Sequence, residues 1–260
     1  MHARKRFGQN FLRDERVIER IVRCIDPQPG QNLIEIGPGR GAMTWPLLRA
    51  AQKLTAIEID RDLVPLLRAG ARDLGADLTV VEADVLSVDF TALAAGQQIR
   101  VVGNLPYNIS TPVLFHLLEH SAVISDMHFM LQREVVDRMV APHGDKVYGR
   151  LSVALQSRCV LERLLKVAPG SFWPVPKVDS AIVRLVPLHD PERERLTLPL
   201  DRILRAAFGM RRKTISNGLA GLLNAEQIKA AGIDPGFRPE QISIEGFLAL
   251  ARHLAALSEI

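Results

Sequence analysis

The chain has 260 residues, 47% hydrophobic and 24% charged, with 18 Gly and 16 Pro. This composition excludes a disordered, collagen-like or disulfide-framework protein and leaves room for a sizeable core in one large domain, or in a larger and a smaller one. The net charge of +4 is uneven: residues 1–23 carry seven Lys/Arg against three acids, and residues 202–217 carry five against none. Two basic patches on an acidic-leaning body predict a polyanion partner, with solvated helix faces as the competing reading.

Arg4-Lys5-Arg6 precedes Phe7-Gly8-Gln9-Asn10 and not the apolar core of a signal peptide. No apolar run approaches the ~18 residues that span a bilayer. A cytoplasmic protein without a membrane contact is expected. Cys24 and Cys159 lie far apart and read as small buried hydrophobes.

Val17, Ile18, Ile21, Val22 and Ile25 have helical spacing, with Asp14 placed as N-cap. Pro27-Gln28-Pro29-Gly30 ends that helix. Short apolar runs then alternate with helix-like segments: Asn32–Ile36, Lys53–Ile57, Leu78–Val81, Ile99–Gly103 and His128–Leu131. Such alternation predicts a doubly wound α/β sheet with parallel strands. Leu161–Val167 and Val178–Val186, joined by the Pro-rich segment 169–176, read as a hairpin-like pair closing one edge. Beyond Pro187 the strand signals stop, and residues 199–257 have helical periodicity broken at Gly209, Gly221 and Asp234-Pro235-Gly236. The expected boundary divides a domain of residues 1–188 from a small all-helical domain of residues 189–260.

The first predicted strand runs into Gly37-Pro38-Gly39-Arg40-Gly41, and Ala42-Met43-Thr44 opens a helix. Glycines there let the backbone turn tightly and approach a ligand. Alone this is a weak signal, shared by plain tight turns and dinucleotide sites. The second strand ends at Glu58, whose carboxylate can accept both hydroxyls of an adenosine ribose. The third ends at Glu82-Ala83-Asp84, where Asp84 can receive an adenine amine. Each acid alone is equally a solvated strand-end residue. Together at successive strand ends they line one crevice, which favours a nucleoside-containing cofactor.

The fourth strand ends in Gly103-Asn104-Leu105-Pro106-Tyr107-Asn108. Pro106 removes a ladder donor and stiffens the direction of the Leu105 carbonyl. The Asn104 side chain offers a second acceptor, and Tyr107 a ring on which a base can stack. Two acceptors aimed at one exocyclic amine hold both its protons and turn its lone pair out of conjugation. Positioned in line with an electrophilic methyl group, that nitrogen reacts without a strong base. A Pro-Tyr turn packed on the core is the alternative. None of the seven His has metal-ligand spacing, so no metal is expected, and His128, inside an apolar run, reads as core.

Asn104-Leu105-Pro106-Tyr107 is one form of the [Asn/Asp]-Pro-Pro-Tyr pattern of amino-group methyltransferases. With Lys5–Leu12 (KRFGQNFL), Gly103–Pro112 (GNLPYNISTP), Met127–Gln132 (MHFMLQ), Phe172–Ser180 (FWPVPKVDS) and Phe208–Ile215 (FGMRRKTI), the sequence resembles the ribosomal RNA adenine dimethyltransferases, most of all their bacterial small-subunit branch. Met43 stands where Leu is usual, and Trp45 and Trp173 fall at variable places. The resemblance implies a Rossmann-like class I methyltransferase sheet of seven mostly parallel strands. It implies S-adenosylmethionine as cofactor and S-adenosylhomocysteine as product. Asn10 and Leu12 would close over the cofactor, Gly37 would line its methionine end, and Asn104 would lie between cofactor and target. Phe172 would sandwich the target base opposite Tyr107. The implied substrate is a pair of adjacent adenosines in the 3′-terminal hairpin loop of small-subunit rRNA, within a partly assembled 30S particle. Arg4, Lys5, Arg6, Arg211, Arg212 and Lys213 are the expected RNA contacts, and the enzyme is expected to be a monomer. A large-subunit dimethyltransferase of antibiotic resistance and a ribosome-assembly factor remain the rival readings.

Overall fold

The structure, a computed structural model, describes residues 10–106 and 109–258. The chain forms two compact units, one made of the residues up to Val136 with Glu162–Pro187, the other of Asp137–Leu161 with the residues from Leu188 onward.

In the first unit, β1 (Phe11–Leu12) leads into α1 (Glu15–Ile25). The Asp14 carboxylate accepts from the Arg16 and Val17 N–H groups and so caps α1, while Ile18, Ile21 and Ile25 bury its apolar stripe. There follow β2 (Asn32–Ile36), α2 (Thr44–Ala51), β3 (Lys53–Glu58), α3 (Val64–Leu74), β4 (Asp77–Glu82), α4 (Phe90–Ala94), β5 (Ile99–Asn104), α5 (Ser110–Glu119) and β6 (Ile124–Gln132). After α6 (Arg133–Val140) and α7 (Arg150–Gln156) come β7 (Cys159–Val167), β8 (Phe172–Trp173) and β9 (Ser180–Pro187). Seven strands form one sheet in the order β4-β3-β2-β5-β6-β9-β7. The β4 to β6 portion is parallel, and β9 runs antiparallel to β6. The expected doubly wound sheet and its closing edge pair are both present.

Two features escaped the sequence reading. First, β6 starts at Ile124, four residues ahead of the expected strand, because Ser125 and Asp126 interrupt the apolar run. Asp126 is buried because Arg100 on β5 donates to both its oxygens, at 2.7 and 3.1 Å, and Arg184 on β9 donates to Oδ2 as well, at 3.1 Å. Charge pairing hid a core position. Second, β1 and β8 form a separate two-stranded antiparallel ladder, Phe11 opposite Trp173 and Leu12 opposite Phe172. Two residues per strand are too few for an alternation signal.

The sheet order places the functional edge. β2 lies between β3 and β5, so the strand order reverses there, and a crevice opens beyond the carboxyl ends of these strands. Register is tight at that end: Ile36 pairs with Ile57 on one side and Gly103 on the other. A Cβ on Gly103 would lie 2.6 Å from the Ile36 carbonyl oxygen, so only glycine lets β2 and β5 close up there.

In the second unit, α8 (Pro191–Arg195) leads into α9 (Thr197–Gly209), and α9, α10 (Ile215–Gly218), α11 (Ala225–Ala230) and α12 (Ile244–Ser258) share a core that includes Ile203, Leu204, Leu219, Phe247 and Ala251. The helices begin after Pro187, as expected. Residues 137–161, expected in the sheet domain, cluster with this helical unit. Tyr148 and Val153 are buried in its core, and the Tyr148 hydroxyl donates to the Ile242 carbonyl at 3.0 Å. Helical periodicity marks a buried face but not which core it joins.

Candidate functional site

At the strand-order reversal lies a cavity of about 640 Å³, a volume suited to a nucleoside-sized ligand. Its walls come from the strap Asn10–Arg13, from β2 and the glycine turn after it, and from the ends of β3, β4 and β5. Asn10, Leu12, Gly37, Gly39, Glu58, Asp84, Asn104, Leu105 and Pro106, all expected at the site, line this one space.

Glu58 is buried where β3 ends. Its Oε2 accepts from the Gly39 N–H at 3.0 Å and its Oε1 from the Asp60 N–H at 2.9 Å. Burial raises its pKa, and these two backbone donors pull in the opposite direction. The carboxylate is thereby fixed beside the glycine turn, where Gly37 and Gly39 have positive φ of 67° and 59°. Asp84 is exposed, and its Oδ1 accepts from the Leu86 N–H at 3.0 Å, capping a short helical turn over Val85–Ser87. Ile36, Ile57 and Leu86 add apolar wall to the same cavity. Carboxylates at the ends of β3 and β4, with apolar surface in the same cavity, match the donor set of an adenosine.

Asn104 stands at the end of β5, and its Nδ2 donates to the Asn10 carbonyl at 3.2 Å. The Leu105 N–H donates to the Met130 carbonyl at 3.3 Å, which anchors the backbone just before Pro106. Both expected amine acceptors thus sit on backbone pinned from neighbouring segments.

In the sequence Glu35 stands only as one residue of the strand Asn32–Ile36. It is buried, lines the cavity, and accepts a 2.6 Å hydrogen bond from the Thr44 hydroxyl. Burial pushes its pKa up to about 7, with the Thr44 hydrogen bond lowering it and the Glu58 charge adding to the rise. An acid inside an otherwise apolar strand, two residues before a glycine turn, was the available signal.

The aromatic pair at β8 divides. Phe172 is 3% exposed and packs in an apolar cluster with Leu12, Leu47, Val102 and Met130. Trp173 is 42% exposed and lines the cavity. Arg211, Arg212 and Lys213 are exposed in the turn after α9, in the helical unit. There the Arg211 guanidinium donates to the Lys146 carbonyl at 2.6 Å. Arg4, Lys5, Arg6 and Tyr107 lie outside the described residues. Among the described residues no group of three or more His, Cys, Asp or Glu is arranged to hold a metal, and no helix is long and apolar enough to cross a membrane.

Comparison with known proteins agrees with this geometry. The family model for ribosomal RNA adenine dimethylase matches residues 1–256. A ribosomal RNA small subunit methyltransferase A from Xanthomonas oryzae pv. oryzae is 54% identical over 254 residues, covering 96% of this chain and 95% of the relative. The protein of the same name from Xanthomonas campestris pv. campestris is 52% identical over the same shares. Among solved structures, a dimethyladenosine transferase from Plasmodium falciparum superposes with a TM-score of 0.81 at 25% identity, covering 92% of this chain and 95% of that one. The 23S rRNA methyltransferase ErmE superposes with a TM-score of 0.73 at 28% identity, covering 95% and 100%. The seven-stranded, mostly parallel sheet and its switch-point cavity are therefore those of a methyltransferase, and the chain belongs to the ribosomal RNA adenine dimethylase family.

Proposed function

We propose that the protein dimethylates the N6 amines of two adjacent adenosines in the 3′-terminal hairpin loop of small-subunit rRNA, within a partly assembled 30S particle. The observation that carries this reading is the meeting of Glu58 and Asn104-Leu105-Pro106 around one cavity. A ribose-type acceptor and a pair of amine-type acceptors face the same space. Identity of 54% to relatives named for the small subunit, against 28% to ErmE, favours the small-subunit substrate over the large-subunit one.

In this reading Glu58 accepts the ribose hydroxyls and Asp84 the adenine amine of S-adenosylmethionine. Gly37 and Gly39 admit its methionine end, and Asn10 and Leu12 cover it. When bound, this cofactor supplies a methyl group on a sulfonium that departs as the neutral thioether of S-adenosylhomocysteine. Asn104 Oδ1 and the Leu105 carbonyl accept the two amine protons of the target adenine and aim its nitrogen lone pair along the line of transfer. Positioning and aligned dipoles do the catalytic work, and the proton released from nitrogen passes to water. Tyr107 stacks on one face of the base, and Phe172, buried in its apolar cluster before RNA binds, is uncovered to take the other. Arg4, Lys5, Arg6, Arg211, Arg212 and Lys213 contact RNA phosphate. The enzyme acts as a cytoplasmic monomer without a metal.

The test offers labelled S-adenosylmethionine and undermethylated small subunits, then maps modified adenosines by reverse-transcription stops. Label confined to two adjacent adenosines near the 3′ end is expected, and label absent from the RNA overturns the reading. Asn104→Ala should abolish most transfer while leaving the circular dichroism spectrum unchanged.

A further inference from the structure

We propose that Phe11 is a positioning residue for Asn104, acting through the strap of residues 10–12; this rests on Asn104 being the amine acceptor proposed above. The Asn104 Nδ2 donates to a backbone carbonyl, that of Asn10. Where that carbonyl lies is therefore set by how the strap is docked. A planar carboxamide whose nitrogen is committed has its oxygen direction fixed as well, so the strap sets the aim of Oδ1.

The strap is short and needs side chains to hold it. Its ladder with β8 has only two residue pairs, supplemented by the Arg13 N–H donating to the Ser171 carbonyl at 2.8 Å. So small a ribbon is marginal without packing. Alternation along β1 sends Leu12 into the apolar cluster and Phe11 toward the glycine turn. The Phe11 ring rests on Gly39: its Cε1 lies 3.3 Å from where a Cβ on that residue would stand. The Arg40 guanidinium carbon lies 4.9 Å from the ring centroid, in range of a cation–π contact. Gly39 is also the residue whose N–H holds Glu58. One ring thus couples the turn that fixes the cofactor-side carboxylate to the strap that orients the amine acceptor.

A displacement of ~1 Å at a reacting centre can cost ~100-fold in rate. Phe11→Ala is accordingly expected to lower kcat at saturating cofactor at least tenfold, beyond any rise in cofactor KM from the lost cavity wall. Phe11→Tyr, which keeps the ring, should restore kcat to within twofold. The separating measurement repeats Phe11→Ala in an Asn104→Asp background. The aspartate has no N–H for the Asn10 carbonyl, so the further loss in kcat should be under twofold.

An effect of Phe11→Ala confined to cofactor KM, or a full additive loss in the Asn104→Asp background, overturns the proposal. If Phe11→Ala does not fold, Arg40→Met removes the cation from the ring face and should lower kcat about two- to threefold; an unchanged kcat there overturns it equally. Wild-type kcat in Asn104→Ala would instead remove the underlying role of Asn104. A crippled Asn104→Ala beside an unaffected Phe11→Ala would remove only the role of Phe11.

Discussion

The Thr44 hydroxyl donates to Glu35 Oε2 across 2.6 Å of buried space in the wall of the cavity. Burial pushes the Glu35 pKa up to about 7, with the Thr44 hydrogen bond lowering it and the Glu58 charge adding to the rise. The acid therefore changes charge around neutral pH.

Two opposite pH dependences follow for Glu35. Its folded pKa lies above the unfolded one, so its contribution favours the fold below about pH 4.5 and is lost as pH rises through about 7. A cationic ligand prefers the ionised carboxylate, so cofactor affinity should rise over the same interval. Calorimetric titration from pH 5 to 8 should show affinity increasing several-fold more in the wild type than in Glu35→Gln, with the rise levelling off above about pH 7. Thr44→Val should move the midpoint upward. A wild-type slope equal to that of Glu35→Gln removes Glu35 from the coupling.

At the aromatic pair, packing and chemistry can be separated by shape. Phe172→Leu keeps apolar volume in the cluster but removes the flat face. Base stacking is worth ~1–3 kcal/mol, so rRNA methylation should fall about tenfold while Tm changes by only a few degrees. Trp173→Ala is the control. A loss confined to that variant would hand the stacking role to Trp173.

Salt dependence tests the basic turn of the helical unit. If Arg211, Arg212 and Lys213 each meet a phosphate, replacing all three by Ala should reduce the slope of log affinity for small subunits against log salt by roughly 2 to 3. An unchanged slope would leave the three side chains solvated.

His128 and Asp126 each withdraw stability in acid, in separate windows. His128 is buried, and desolvation lowers its pKa to about 4, opposed by Asp126. Below pH 6.5 the unfolded chain takes up a proton that the folded one refuses. In urea unfolding, His128→Gln should therefore gain stability relative to the wild type between pH 6.5 and 4, by about 3 kcal/mol at most, a difference in which the opposite Glu35 contribution cancels. For Asp126, burial pushes upward, but Arg100, His128 and Arg184 bring the pKa below the usual 3.8. Its contribution is present above 3.8 and disappears only as pH falls further, so Arg100→Met should act on this lower window.

Much of the site was legible because its chemistry is local. Strand ends, the glycine turn and the Asn-Leu-Pro run are each contiguous, and a parallel sheet must bring such ends to one edge. What stayed hidden depends on distant partners. Asp126 reads as surface until Arg100 and Arg184 are placed beside it. Residues 137–161 have helical and strand periodicity but no label for the core they enter. The β1–β8 ladder joins segments some 160 residues apart, with two residues on each side. Glu35 was hidden for a different reason: its shifted titration comes from enclosure, which sequence neighbours do not reveal.

The glycine at 103 has one more consequence. With no side chain between β5 and the Ile36 carbonyl, the cofactor turn and the acceptor loop leave adjacent strands at the spacing of a backbone ladder, ~4.8 Å. In the function proposed above, peptide geometry rather than side-chain volume sets how far apart these two strand ends stand. A single methyl group added at 103 should therefore force the two strand ends apart and slow methyl transfer before it unfolds the protein.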